Sequence, residues 1–173
     1  MSDPDRRETS FEELALPLCD SLYSFARWLA RDETTAEDLV QETYLKALRS
    51  FSSFTPGTNF KAWMFRILRN TFLNARQAAL RWEPLDEGEA NEPAAPAEET
   101  PESRLLSRAR TDEVVRALET LPSRTREILL LREAEELSYA ELAEVLELPV
   151  GTVMSRLFRA RSALRAAIEG ARR

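Results

Sequence analysis

Residues 83–103 read Glu-Pro-Leu-Asp-Glu-Gly-Glu-Ala-Asn-Glu-Pro-Ala-Ala-Pro-Ala-Glu-Glu-Thr-Pro-Glu-Ser, with eight acidic side chains, four prolines and no basic residue. Leu85 is the only large apolar residue among them, so the segment cannot offset its own ordering entropy by burial. It is expected to be a flexible or extended linker. A chain of 173 residues interrupted in this way cannot build one continuous core. The flanks 1–82 and 104–173 are therefore expected to fold as separate modules.

The same segment changes the meaning of the net charge of −6. Of the 30 acidic residues it holds eight, which leaves 22 against 24 basic residues elsewhere, a net of +2. Two stretches are almost free of acid. Lys61 to Trp82 carries Lys61, Arg66, Arg69, Arg76 and Arg81 with no carboxylate, and Met154 to Arg173 carries six arginines against Glu169. Each module thus ends in a basic helix candidate, the electrostatic footprint of a phosphate-facing surface or of a solvated charged face.

Composition removes most catalysis. With no histidine there is no imidazole acid–base chemistry and no zinc site that needs it. The four glycines form no phosphate-cradling motif. The single cysteine, Cys19, cannot make an internal disulfide, which fits a reducing compartment; next to Leu18 on an apolar stripe, it is expected to be a packed thiol. No apolar run is long enough to span a bilayer, and no signal peptide is expected at the N-terminus. The expectation is a cytosolic, non-enzymatic, all-α protein without cofactor or metal.

Helical periodicity supports that class, with no strand-like alternation of any length. Phe11, Leu14, Leu18, Leu22, Phe25 and Leu29 form a first stripe, kinked or begun at Pro17. Thr35 with Asp38 suggests a capping-box-like start to a stripe of Ala36, Leu39, Val40, Thr43, Tyr44, Ala47, Leu48 and Phe51. After a loop with a Pro56-Gly57 turn signal, Phe60, Trp63, Met64, Ile67, Leu68, Thr71, Phe72 and Ala75 form the third. Three amphipathic helices sharing a core make the first module.

The second module opens with Val114, Val115, Leu118 and Leu121, stopped by Pro122, and continues through Ile128 to Leu131. Ser138 and Glu141 form a capping box before Tyr139–Leu146, and a last helix starts near Gly151. A short helix, a tight turn and a basic helix have the look of a helix-turn-helix. Glu147 in that turn must work without glycine's permissive backbone. Val153, Leu157, Ala160 and Leu164 share the face expected to pack, while Met154, Ser155, Phe158, Arg159 and Ser162 lie opposite. In such a motif the second helix enters the major groove. Ser155 can bond base edges or phosphates, and Arg159 can pair bidentately with guanine. Arg156, Arg161 and Arg165 sit at angles suited to phosphates, and the helix N-terminus at Gly151-Thr152 adds backbone donors toward one.

Ser138–Ala143 (Ser-Tyr-Ala-Glu-Leu-Ala) and Leu148–Arg161 (Leu-Pro-Val-Gly-Thr-Val-Met-Ser-Arg-Leu-Phe-Arg-Ala-Arg) resemble region 4 of bacterial extracytoplasmic-function (ECF) sigma factors. Ala36–Tyr44 and Phe60–Asn70 resemble their region 2. The two matches stand in the family's order and cover most of the chain outside the linker and the termini. The resemblance implies a region 2 three-helix bundle over 1–82, a linker over 83–103 and a region 4 helix-turn-helix over 104–173. It implies a promoter-specificity subunit for transcription initiation, in a stress response, acting in the cytoplasm at the nucleoid. The partners it implies are core RNA polymerase, through the largest-subunit clamp helices and the flap, promoter DNA both duplex and melted, and a cognate anti-sigma factor, with no membrane insertion.

By the same resemblance, Asp38, Gln41, Glu42 and Leu45 form the polymerase-binding face. Phe54, Thr58, Asn59 and Asn70, with Lys61, Arg66 and Arg69 holding the backbone, read the melted minus-ten element. There amides suit base edges and a pocket suits each unstacked ring. Thr152, Met154, Ser155, Arg156, Phe158, Arg159 and Arg161 contact the minus-thirty-five element. Trp63 lies on the core stripe, where packing is preferred to base stacking. Met154 departs from the lysine or arginine of many members. The acidic linker suits a nucleic-acid mimic in a basic channel. Two rival readings remain: a stand-alone helix-turn-helix regulator, which would not bind core polymerase, and a sigma mimic that sequesters an anti-sigma factor, which would not need two basic faces.

Overall fold

The computed structural model describes residues 10–80 and 105–171, and these fall into two compact units, one stretch in each. The acidic segment, Arg81 and Trp82 lie outside the described residues. All regular structure among the described residues is helical.

In the first unit, α1 (Phe11–Ala15) begins at a Ser10–Glu13 capping box. Pro17 then imposes a 3₁₀ turn over Leu16–Leu18 before α2 (Cys19–Ala30) resumes. In that turn the Cys19 amide donates to the Leu16 carbonyl, leaving the Ala15 carbonyl to another donor. The Tyr44 hydroxyl supplies it at 2.6 Å. The tighter turn also shifts the helical phase, which corrects two expectations. Leu14, Leu18 and Leu29 are only half-buried while Ala15 and Ala26 enter the core, and Cys19 is exposed rather than packed.

Arg31 ends α2 in the left-handed conformation, and Asp32 caps α3 (Glu33–Ser50). Its carboxylate accepts from the Thr35 amide at 2.8 Å and the Thr35 hydroxyl at 2.6 Å, and these bonds hold its pKa below the usual carboxylate value. The Thr35–Asp38 cap expected from spacing is therefore not used. Helix α3 buries Ala36, Leu39, Val40, Thr43 and Ala47, but Leu48, placed on the stripe by periodicity, is 53% exposed. In the loop, the Thr58 amide closes onto the Thr55 carbonyl with Gly57 at φ +88°. Proline second and positive-φ glycine third is the type II arrangement.

Helix α4 (Phe60–Leu80) packs against both α2 and α3. Two-sided packing widens its buried face beyond one stripe. Ala62 and Phe65 are buried as well as Phe60, Met64, Leu68 and Thr71, whereas Ala75, expected inside, is exposed. Phe65 meets Phe25 at 5.3 Å between ring centroids. Phe11 packs edge-on to Tyr44, Phe51 and Phe60.

Burial, with the Cys19 thiol beside it, pushes the Tyr44 phenol up to about 12. A proton held more tightly in the folded state stabilises below the ordinary phenol pKa near 10, and that contribution is lost as pH rises through the folded value. Unfolding midpoints should fall between about pH 10 and 12, and Tyr44→Phe should flatten that limb. An equal decline in the variant would show that Tyr44 is not its source.

In the second unit, α5 (Leu105–Thr120) buries Ala117 and Leu118, while Val114 is exposed despite its place in the apolar pattern. Helix α6 (Ser123–Leu129) runs into a π turn over Leu130–Ala134. Arg126 is buried, and its Nη2 donates to the Leu121 carbonyl at 2.9 Å at the end of α5. After α7 (Tyr139–Leu146), α8 (Val150–Ala171) packs on α5, α6 and α7. Ile128, Leu131, Leu137, Leu142, Val145, Val153 and Leu157 are the fully buried centre.

Candidate nucleic-acid interface

The α7–turn–α8 geometry is assembled from local rules. Ser138 and Glu141 exchange hydrogen bonds of 3.2 and 2.7 Å at the start of α7, the expected capping box. At its end Glu147 adopts φ +55° and ψ +47°. The Glu147 and Leu148 amides both close onto the Ala143 carbonyl. The Val153 amide then bonds the Pro149 carbonyl to begin α8. A left-handed conformation costs a Cβ-bearing residue roughly 1–2 kcal/mol, and glycine escapes it. Glu147→Gly should therefore stabilise this unit by ~1 kcal/mol, read as a higher midpoint by circular dichroism. A lower midpoint would mean that the glutamate side chain contributes more than its backbone costs.

Helix α8 divides largely as its pattern predicts, except that Leu164, expected on the packing face, is half-buried. Val153, Leu157 and Ala160 are buried, and Met154, Ser155, Phe158, Arg159 and Ser162 are exposed on the other side. Thr152 and Arg156 are half-buried. The Ser155 hydroxyl donates to the Thr152 carbonyl at 3.1 Å, and Arg159 Nε donates to the Ser155 carbonyl at 3.3 Å. Both polar side chains are thus held along the helix. Arg161 differs. Its Nη2 lies 2.6 Å from Glu133, with a second bond from Nε at 2.8 Å, and these bonds raise its pKa above the usual value. It ties α8 to the π turn, so any phosphate contact has to compete with Glu133. The charge pattern of α8 alone could not reveal this partner, which lies 28 residues away. Behind it, Arg132 stacks over the Tyr139 ring at 5.1 Å and donates to the Leu137 carbonyl.

The residues expected at the melted element have different surroundings. Phe54 lies in an aromatic cluster, stacked on Phe51 and against Phe60 and Trp63 at 5.1 and 5.4 Å. It thus packs with the core-side rings. Asn59 caps α4, its Oδ1 accepting from the Ala62 amide at 3.3 Å. The exposed Thr58 hydroxyl bonds the Thr55 carbonyl. Lys61 sits over the Phe65 ring at 5.9 Å. Further along α4, Arg66 is exposed while Arg69 and Asn70 are half-buried.

On α3, Asp38, Gln41 and Leu45 are exposed, and Glu42 pairs with Lys46 at 3.7 Å. The exposed Leu48 extends this face to two leucines, where periodicity found one. Among the described residues no group of His, Cys, Asp and Glu could hold a metal ion, and no helix is long and apolar enough to cross a membrane.

Residues 18–81 match the family model Sigma-70 region 2, and residues 111–164 match Sigma-70, region 4. The chain is 39% identical over 134 residues to the ECF RNA polymerase sigma-E factor of Salmonella typhimurium, covering 73% of this chain and 70% of that protein. It is 35% identical over 159 residues to the ECF RNA polymerase sigma factor SigE of Mycolicibacterium smegmatis, covering 90% of this chain and 60% of that protein. Among solved structures, the sigma factor RpoE in complex with the anti-sigma factor NepR from Bartonella quintana superposes with a TM-score of 0.70 at 29% identity, over 93% of this chain and 98% of that one. CnrH in complex with the cytosolic domain of CnrY gives 0.63 at 27% identity, over 92% and 88%.

Proposed function

Because the chain belongs to the ECF family of RNA polymerase sigma factors, we propose that its two units divide promoter recognition between them. Sigma factors are non-catalytic subunits that direct promoter-specific initiation by RNA polymerase, and this is the activity of the family. We assign 1–82 to core binding and to recognition and melting of the minus-ten element, and 104–173 to the minus-thirty-five duplex, with 83–103 as the linker. The observation that carries this is the sorting of α8, which buries Val153, Leu157 and Ala160 and exposes Ser155 and Arg159 on the second helix of a helix-turn-helix. The exposed Asp38, Gln41 and Leu45 on α3 are assigned to the polymerase clamp, with Glu42 beside them.

At the melted strand, Asn70, Thr58 and Lys61 with Arg66 and Arg69 are assigned to bases and backbone. Phe54 and Asn59 support that loop from within the fold, the first by ring packing and the second by capping α4. At the upstream element Arg159 reads a base edge, Ser155 a base edge or phosphate, Arg156 a phosphate and Thr152 the backbone at the helix start. The protein acts in the cytoplasm, under a cognate anti-sigma factor, in a stress response.

Run-off transcription with bacterial core polymerase and a genomic promoter pool tests the assignment. The chain should direct initiation from a defined subset, and initiation from none would end the reading. Arg159→Ala should cost ~1–3 kcal/mol at its base contact and relax preference at one upstream position. A uniform loss on all sequences would reassign Arg159 to phosphate.

A further inference from the structure

Helix α8 leaves three large apolar side chains in water, Val150 at 44%, Met154 at 51% and Phe158 at 73% exposure. They recur at four-residue steps, so they form one row along a helix face. The row is embedded in positive charge: among the described residues of α8 there are four arginines and one acid, Glu169. Ser155 and Arg159, each one residue on from a row member, are exposed beside it. Arg161 is already paired with Glu133, so an apolar protein partner would have to cover the row while offering nothing to Arg156, Arg159 and Arg165. A polyanion neutralises them as it docks.

Within a major groove, the base edges offer hydrogen-bond donors and acceptors and one apolar group, the 5-methyl of thymine. We propose that Met154 and Phe158 read thymine methyl groups in the duplex promoter element, so that recognition by α8 is part polar, through Arg159 and Ser155, and part apolar. This rests on the sigma-factor reading above and adds the base class that the exposed row selects. Met154 and Phe158 lie four residues apart, about 6 Å along the axis at 1.5 Å per residue. They therefore address two nearby base pairs.

The test uses holoenzyme reconstituted from the full chain and core polymerase, with promoters recovered by run-off selection. Each thymine of the upstream duplex is replaced, one at a time, by deoxyuridine, which keeps every hydrogen bond and removes only the methyl. Binding should weaken about four-fold at each of two neighbouring positions, the loss of one methyl-sized contact. Other thymines should be indifferent. Met154→Ala should erase the thymine preference at one position and Phe158→Ala at the other. Met154→Leu, which keeps the apolar bulk, should retain it. Both residues are exposed, so unchanged unfolding midpoints show that the variants fold.

Equal binding of thymine and deoxyuridine everywhere would overturn the proposal, as would a preference that survives both alanine variants. Selected promoters lacking thymine in the upstream element would overturn it too. Indifference to the methyl, combined with alanine variants that bind a purified anti-sigma factor more weakly, would reassign the row to protein docking. A chain that initiates but ignores the methyl sinks only this proposal. One that initiates nowhere sinks the sigma-factor reading beneath it.

Discussion

Replacing Phe65 with alanine should lower the stability of the α1–α4 unit by ~3–5 kcal/mol. Phe65 is fully buried, its ring lies 5.3 Å from that of Phe25, and α4 is held there by both α2 and α3. The cavity would open where three helices meet, and none can close it without leaving another. For a unit of this size, with a urea dependence on the order of 1 kcal/mol per molar, the midpoint should drop by roughly 3 M, or the unit should unfold without denaturant. Of the three tryptophans, Trp28 and Trp63 lie in this unit, Trp82 lies outside the described residues and residues 104–173 contain none, so a change in indole fluorescence on unfolding reports this unit and not the other. A fluorescence midpoint within 1 M of the parent would show that Phe65 is not central to the core.

Leu157→Ala should cost ~2–5 kcal/mol in the other unit. Leu157 is 1% exposed, on the face by which α8 packs on α5, α6 and α7. Its loss should appear in far-ultraviolet circular dichroism while the tryptophan midpoint stays where it was. The functional consequence should be equally one-sided: upstream recognition fails because the reading helix is no longer held, and core polymerase binding by the α1–α4 unit is retained. If the fluorescence transition moves as well, the two units do not unfold independently.

Much of this architecture could be read from residue spacing, and the errors share a cause. The buried row of α8 and the Ser138–Glu141 cap follow from local rules and were legible. Phe65 and Ala62 were missed because a single stripe assumes one packing partner, whereas α4 has two. Cys19 was misplaced because Pro17 changes the helical phase through a 3₁₀ turn, and a periodicity counted through the break carries the wrong angle onward. The Thr35–Asp38 spacing matched a cap, but the left-handed Arg31 hands that position to Asp32. Leu48 fits the α3 pattern as well as its buried neighbours do; no signal along the helix marks it as solvent-facing. In the candidate interface the exposure of Ser155 and Arg159 was legible, and the Glu133 partner of Arg161 was not. Partners distant in sequence belong to the fold and leave no mark on a helix's own pattern.

Among the described residues, three helix corners turn on residues that carry a side chain, with Arg31, Glu136 and Glu147 all at positive φ. In the α5–α8 unit two such corners, at ~1 kcal/mol each, amount to about 2 kcal/mol, a factor of roughly 30 in the balance between closed and open forms. A glycine-capped version of the same unit would be open that much less often. Proteases act on the open form, so these corners bear on how long a molecule of this regulator survives in the cell, independently of how well it reads DNA.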